Sequence, residues 1–114
     1  MDIQRINPRE WNCNAAVFGD LVFCSGMVAD DKSLDMKGQT AQVLKKIDAV
    51  LAQAGTSKSR ILSATVYMQD ASLKDEMNVS WMAWVDRSNL PTRTAVGADL
   101  TPGTMVEITV FAAK

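Results

Sequence analysis

The feature that most constrains the fold is a long amphipathic stretch that runs from Met36 to Ala54. Its apolar residues recur at helical spacing and form one stripe, made of Met36, Val43, Leu44, Ile47, Val50, Leu51 and Ala54. Charged and amide side chains lie off this stripe, and Gly55 follows as the left-handed residue on which many helices end. The stretch therefore predicts a helix that packs its stripe against another layer of structure.

A second helix is predicted from Ser72 to Val85, where Ser72 and Asp75 have the spacing of a capping box. Its apolar side would consist of Leu73, Met77, Trp81, Trp84 and Val85. Two tryptophans on one short helix bury a large area. They would fill the space against a sheet or cover a contact between subunits.

Short apolar runs between turn residues predict five strands, at 15–18, 21–26, 61–68, 92–98 and 104–112. Gly19-Asp20 predicts a hairpin turn between the first two strands, and Pro102-Gly103 predicts a turn between the last two. The strand at 61–68 is expected to be buried on both faces or nearly so, and Gly97 is expected to mark a bulge.

The predicted order β-β-α-β-α-β-β favours a single α+β domain, 1–114, in which both helices cover one face of the sheet. No third helix is available for the opposite face. Hydrophobic residues make up 47% of this small chain, which a second covered face would explain. Self-association is the natural way to cover the second face.

The chain contains no histidine, and this excludes several classes of site. Ser-His-Asp and Cys-His nucleophile systems and His-ligated zinc or copper are impossible, and two cysteines cannot build a tetrahedral thiolate cage. We therefore expect no metal and no cofactor. Acid–base chemistry would come from a carboxylate, a lysine, a tyrosine, a thiol or bound water.

Charge and hydropathy restrict the classes of binding partner and the cellular compartment that we expect for the protein. The net charge is −1 and the pI is near 5.3, so nucleic acid is not favoured as a partner. No run of 18 apolar residues predicts a membrane span, and the first residues lack the apolar core of a signal peptide. Cys13 and Cys24 are not in a Cys-x-x-Cys pair. A disulfide stays open, but two reduced thiols in the cytoplasm are the simpler expectation.

Two charged residues stand in unusual places. Arg93 begins a predicted strand, and Glu107 lies inside the last apolar strand. Singly, Arg93 could form a surface ion pair and Glu107 could face solvent at a sheet edge. Together they suggest an arginine fork that binds a carboxylate next to a glutamate that could hold or deprotonate water.

Other candidates are weaker. Gly26, after Ser25 at a strand end, would let a ligand approach the backbone amide, or would simply form a turn. Asn78 is either a pocket residue or a solvent-exposed helix residue. Cys24 and Tyr67 are expected to pack within strands rather than to react.

Several segments, in this order and spacing, resemble the reactive-intermediate deaminase (Rid, or YjgF-type) family over residues 15–112. They are Leu21-Val22-Phe23-Cys24-Ser25-Gly26, Gln39, Ala54-Gly55, Thr65-Val66-Tyr67-Met68-Gln69-Asp70, Met77-Asn78 with Trp81 and Trp84, Pro91-Thr92-Arg93 and Val106-Glu107-Ile108. The resemblance implies a chorismate-mutase-like mixed sheet, a homotrimer and a ligand cleft at each subunit interface. It also implies hydrolysis of enamines and imines, such as 2-aminoacrylate, to 2-keto acids and ammonia.

The resemblance assigns a role to individual residues. Arg93 would bind the substrate carboxylate and Glu107 would hold the water. Ser25, Gly26, Asn78 and Ala95 would contact the substrate. The family also suggests two alternatives, a trimer that binds keto acids without turnover and, less favoured by the charge, an endoribonuclease or translation inhibitor.

Two positions depart from the family pattern. The tyrosine of a Gly-Pro-Tyr segment has no counterpart, because the region reads Glu10-Trp11-Asn12-Cys13-Asn14. Ala95 stands where a cysteine follows the family arginine. Both changes would reshape the pocket and alter the choice of substrate.

Overall fold

Seven strands and two α-helices form the fold in the computed structural model, which describes all 114 residues, Met1–Lys114. The strands are β1 (Ile3–Ile6), β2 (Ala15–Phe18), β3 (Leu21–Cys24), β4 (Met27–Val28), β5 (Ile61–Met68), β6 (Thr92–Gly97) and β7 (Val106–Ala113). The helices are α1 (Met36–Gln53) and α2 (Lys74–Trp84). The predicted order is confirmed, with β1 and β4 added. Their sequences are too short, and that of β1 too polar, for periodicity to reveal them.

All seven strands belong to one mixed sheet. Its order is β1-β2-β3-β7-β5-β6, and the two-residue β4 also pairs with β7. Only β5 and β6 run parallel, while every other pair is antiparallel. The break between β3 and β4 falls at Ser25-Gly26, so these two residues interrupt one line of pairing along β7.

Both helices cover one face of the sheet, which we call the helix face. Alternate residues of β7 are buried on that face: Val106, Ile108, Val110 and Ala112. The predicted stripe of α1 packs against them, and each of its seven residues is buried. Met77, Trp81 and Val85 of the second helical region join the same cluster. The helix face is therefore the hydrophobic core.

The two helices begin differently. At the start of α1, the Asp35 side chain accepts a hydrogen bond from the backbone N–H of Gly38 at 2.8 Å, and Gly55 follows the helix with a φ of +82°. The predicted capping box of α2 is wrong. The side chain of Asp70 accepts instead from the N–H of Ser72 at 3.0 Å and starts a 3-10 turn, so that α2 itself begins only at Lys74.

Two predictions about strands need correction. Only one face of β5 is buried, because Ser63, Thr65 and Tyr67 stay half-exposed on the other. The irregular register lies at the start of β5, between residues 61 and 63, whereas Gly97 simply ends β6. The irregularity lies before Ser63, where β6 begins its regular parallel ladder with β5, so it affects only the pairing with β7.

The face opposite the helices, which we call the outer face, has two parts. Large exposed apolar side chains occupy the part formed by β1, β2, β3 and β7: Ile3, Phe18, Leu21, Phe23 and Phe111. The rings of Phe23 and Phe111 meet edge to face with centroids 5.0 Å apart. The other part is rich in hydroxyl groups from β5 and β6. No helix of the chain is both long and apolar enough to cross a membrane.

Candidate functional site

Arg93 lies on β6, an edge strand, and its side chain extends over the helix face. Its Nη1 donates a hydrogen bond to Oδ1 of Asn78 on α2 at 2.8 Å. Its guanidinium carbon lies 5.1 Å from the ring centre of Trp81, which is a cation–π distance. The helix therefore holds the guanidinium from two sides. The alternative that left Asn78 as a mere solvent-exposed helix residue is ruled out.

No carboxylate of the chain neutralises Arg93. The one ion pair in the structure joins Lys46 to Asp30 at 2.9 Å, so the surface ion pair considered for Arg93 does not form. Apart from a 4.0 Å contact with the Met77 sulfur, Asn78 is the only side chain that accepts a hydrogen bond from the guanidinium. Partial burial lowers the pKa of Arg93 from its ordinary value, yet an arginine stays charged. The remaining N–H groups can receive an anion.

Ala95 follows two residues along β6, on the same face as Arg93 and half-buried against the core. Its methyl group occupies little space, so the surface beside the guanidinium stays open. We call Arg93, Asn78, Trp81 and Ala95 the arginine half-site.

Glu107 lies on β7, near the middle of the sheet, and is half-buried on the outer face. It pairs with Tyr67 of β5 on one side and with Val28 of β4 on the other. Its carboxylate lies directly against Gly26, where an added Cβ would be 3.1 Å from the glutamate Cδ. Gly26 therefore leaves the space that the carboxylate occupies. The interpretation of Glu107 as a sheet-edge residue is wrong, because strands flank it on both sides.

Ser25, at the same strand break, makes two hydrogen bonds to the loop between β1 and β2. Its hydroxyl donates to the carbonyl oxygen of Cys13 at 2.6 Å, and its N–H donates to that of Asn14 at 2.9 Å. The hydroxyl is thereby already engaged within the chain. We call Ser25, Gly26, Tyr67 and Glu107 the glutamate half-site.

The two half-sites do not meet within one chain. Arg93 is in register with Ala64, which is buried on the helix face, whereas Glu107 alternates with the buried residues of β7 and so points to the outer face. Glu107 is in register with Tyr67, which pairs with Val96, three residues beyond Arg93. None of the three surface cavities of the chain is lined by either residue.

Sequence reasoning missed two members of this arrangement. Trp81 was expected to pack against the sheet or to cover a subunit contact, although its spacing of three residues from Asn78 puts both on one side of a helix. Tyr67 was expected to pack in a fully buried strand, but it lies beside Glu107 on the outer face. The alternation of Ser63, Thr65 and Tyr67 with apolar residues was the signal for that face.

The two thiols are both free, as the simpler expectation had it. Cys24 is buried in β3, and burial raises its pKa from 9.0 to about 11. A thiol that stays protonated at neutral pH is a poor nucleophile, in agreement with its predicted packing role. No group of three or more cysteine, aspartate or glutamate side chains is arranged to hold a metal ion.

Comparison with known proteins gives the chain clear relatives. The family model described as "Endoribonuclease L-PSP" matches residues 3–114. A RutC family protein of Haemophilus ducreyi is 41% identical over 112 residues, which span 97% of this chain and 96% of that protein. The RutC family protein YoaB of Escherichia coli is 36% identical over 114 residues and 99% of both chains.

A solved structure agrees with these matches. A member of the YjgF protein family from Neisseria meningitidis superposes with a TM-score of 0.97 and is 37% identical, covering 100% of this chain and 96% of its own. The architecture described above is therefore that of its relatives.

Proposed function

The chain belongs to the endoribonuclease L-PSP family, whose members are also named RutC and YjgF, and we propose that it hydrolyses small imines and enamines that carry a carboxylate. The products would be a 2-keto acid and ammonia. One observation carries the proposal: a positively charged Arg93 is held in place by α2 and has no carboxylate partner in its own chain.

Arg93 would bind the carboxylate of the substrate. Its planar fork suits a bidentate pair with a carboxylate, and Asn78 and Trp81 already restrict its rotation. Less conformational entropy is then lost on binding. The small Ala95 beside Arg93 would leave space for the rest of the substrate next to its carboxylate.

Glu107 would hold the water that attacks the imine carbon. Its carboxylate lies at the break between β3 and β4, where Gly26 brings backbone close to it without a side chain. With the imine nitrogen protonated, Glu107 would take one proton from the water as its oxygen bonds to the imine carbon, which gives a carbinolamine. Glu107 would then return that proton to the amine nitrogen. The C–N bond breaks as ammonia leaves, and the hydroxyl proton passes to Glu107 and on to ammonia, which leaves the keto group. An enamine enters the same path after protonation of its β-carbon.

The site would form between subunits of a homotrimer. Arg93 lies at the β6 edge and Glu107 on the outer face, so they can face one ligand only if the edge of one copy meets the outer face of another. Such a contact is heterologous and closes into a ring, for which the family resemblance implies three members. The exposed apolar side chains of the outer face would then be covered, and a cleft would repeat at each interface.

The deciding experiment is an imine-hydrolysis assay. Amino-acid oxidases generate 2-imino acids from a panel of amino acids, and keto-acid release is followed in the presence of the protein. We expect wild type to accelerate release and Arg93→Ala to lose at least about 100-fold in kcat/KM, because a charge-assisted fork is removed. Arg87→Ala is the matched control, since Arg87 is exposed and donates only to the Met82 carbonyl oxygen. Equal, uncatalysed rates for wild type and Arg93→Ala across the panel would refute the proposal.

Binding without turnover is the second candidate, and the same uncompensated Arg93 favours it. In that case calorimetry with 2-ketobutyrate or pyruvate shows binding that Arg93→Ala abolishes, while imines hydrolyse at the uncatalysed rate. A relative from Salmonella typhimurium with a TM-score of 0.90 and 37% identity, covering 98% of this chain and 97% of its own, is described as a putative translation initiation inhibitor. The acidic charge balance of this chain does not favour RNA.

A further inference from the structure

We infer that the protein has a second ligand site, a cavity on the helix side of the sheet that binds a small monocarboxylate with a short hydrocarbon chain. The cavity has a volume of about 470 Å³ and lies between α1 and the loop that joins β1 to β2. This volume falls within the usual range for small-molecule sites. We call it the loop cavity. Neither Arg93 nor Glu107 lines it.

Its walls carry several hydrogen-bond donors, of which Arg9 already donates to Asn14 Oδ1 and Lys46 to the Val28 carbonyl oxygen and Asp30. Arg9 and Asn14 come from the loop, Lys46 from the middle of α1, and Asn7 and Gln53 from opposite walls. Asn7 Nδ2 donates to Gln53 Oε1 at 2.9 Å, which leaves the Gln53 amide nitrogen available as a donor. Guanidinium, ammonium and amide groups together are the donors that an oxyanion requires.

The charge of the cavity matches a monoanion. Arg9 and Lys46 contribute two positive charges, and Lys46 also pairs with Asp30 at 2.9 Å. Asp30 is itself largely exposed and is not among the residues that line the cavity. The local balance is therefore one positive charge, which a carboxylate neutralises.

The floor of the cavity is apolar. Met27 and Val50 are buried in the core and present one side to the cavity, and Ala49 adds a methyl group from α1. A ligand with a few methylene groups next to its carboxylate would remove this floor from water. The floor distinguishes such a ligand from formate or another ion that lacks a hydrocarbon part.

The loop that forms one wall is held in place before any ligand binds. The N–H of Asn14 donates to the Ile6 carbonyl oxygen at 2.8 Å, and that of Arg9 donates to the Asn12 carbonyl oxygen at 2.6 Å. Asn7 takes a left-handed conformation with a φ of +50°, which asparagine tolerates better than most residues. A preformed wall reduces the entropic cost of binding.

Two residues that line the loop cavity also make hydrogen bonds to Ser25 and Val28, at or next to the glutamate half-site. The Asn14 carbonyl oxygen accepts from the N–H of Ser25, and Lys46 Nζ donates to the Val28 carbonyl oxygen at 2.8 Å. Val28 is the residue paired with Glu107. A bound carboxylate that draws on Asn14 and Lys46 will therefore change the surroundings of Ser25 and Val28.

The test is an NMR titration of the full ¹⁵N-labelled chain with butyrate, and its outcome does not depend on the proposed deaminase activity. We expect shifts of the side-chain amide signals of Asn7, Asn14 and Gln53 and of the backbone signals of Ser25 and Val28. Butanamide, the neutral analogue, and formate, which lacks the chain, are expected to bind at least about tenfold more weakly than butyrate.

Four variants locate the binding. Arg9→Gln and Ala49→Phe, the second of which fills the cavity without removing a charge, should each weaken butyrate binding at least about tenfold. Arg5→Gln, an exposed arginine on β1, and Arg93→Gln should leave the shifts of the Asn7, Asn14 and Gln53 side-chain amides unchanged. Shifts confined to the neighbours of Arg93, no shift at millimolar butyrate, equal binding of formate, or full binding by both Arg9→Gln and Ala49→Phe would each overturn the inference.

Discussion

Gly26 has no room for a side chain because of Glu107. A Cβ added at position 26 would lie 3.1 Å from Cδ and 3.2 Å from Cγ of the glutamate, and closer still to Oε2. Gly26 has no positive φ, so the restriction is one of space and not of backbone conformation. The glycine at this strand break therefore positions the carboxylate that we assign to water activation.

Replacement of Gly26 by alanine should displace that carboxylate. We expect Gly26→Ala to lower kcat for imine hydrolysis by about tenfold or more while the free energy of unfolding falls by only about 1–3 kcal/mol, the usual range for overpacking. Steady-state assays and chemical denaturation measure the two effects. Gly97→Ala is the matched control, since a Cβ there would be 3.5 Å from the Ala71 Cβ, an ordinary contact. Unchanged kcat in Gly26→Ala would contradict the role given to Glu107.

Asn78→Asp tests whether Arg93 must lack a carboxylate partner in its own chain in order to bind the substrate. The substitution retains the hydrogen-bonding shape but turns the partner of Arg93 into a carboxylate, which competes with the substrate carboxylate for the guanidinium. KM for 2-imino acids should rise about tenfold or more with little loss of thermal stability. Ser57→Asp, at an exposed position after α1, adds a negative charge elsewhere and should leave KM near the wild-type value. A normal KM in Asn78→Asp would mean that Arg93 does not bind the carboxylate.

The exposed part of the outer face predicts how the chain associates. Phe111 is 44% exposed and packs edge to face against Phe23, so Phe111→Glu would place a charge within the surface that we expect neighbouring copies to cover. Sedimentation should show a trimer for wild type and a shift toward monomer for Phe111→Glu. Val79→Glu adds the same charge on an exposed position of α2 and should remain trimeric. Monomeric wild type would refute both the trimer and the shared site.

The buried thiol of Cys24 predicts a loss of stability at high pH. Its pKa is raised to about 11 in the fold, so between pH 9 and pH 11 the unfolded chain releases a proton that the folded chain retains. Below pH 9 the thiol is protonated in both states and leaves the free energy of unfolding unchanged. As the pH rises to 11, its ionisation in the unfolded chain lowers the free energy of unfolding by up to about 2 kcal/mol. Urea unfolding of wild type and Cys24→Ala across this range measures it. The stability difference between them should shrink with rising pH, and a constant difference would contradict the prediction.

Much of the fold follows from local sequence pattern. The stripe of α1 and the apolar run of β5 are long enough to mark both elements, and the structure confirms their bounds closely, although β5 is buried on one face only. Spacing alone could not decide whether Asp70 or Ser72 starts this helical region, because both side chains can accept from a nearby N–H; Asp70 caps the 3-10 turn that precedes α2. β1 escaped notice since its Ile-Gln-Arg-Ile sequence gives only two apolar positions.

The candidate site was harder to predict than the fold. Arg93 and Glu107 stood out individually, but only the register of β5, β6 and β7 reveals that they point to opposite faces. Register depends on pairings between residues far apart in the chain, which no local pattern records. The loop cavity was missed for the same reason, because Arg9 and Lys46 approach each other only after α1 packs on the sheet.

The opposite orientation of Arg93 and Glu107 predicts that two inactive chains can restore activity together. If each site takes Arg93 from one subunit and Glu107 from its neighbour, Arg93→Ala and Glu107→Gln chains that are unfolded and refolded together will form some complete sites. Random mixing in equal amounts pairs the two intact residues at about a quarter of the interfaces. Keto-acid release should therefore recover to about a quarter of the wild-type rate. Each variant refolded alone should stay inactive, and no recovery in trimers shown by mass spectrometry to be mixed would mean that the two residues do not share a site.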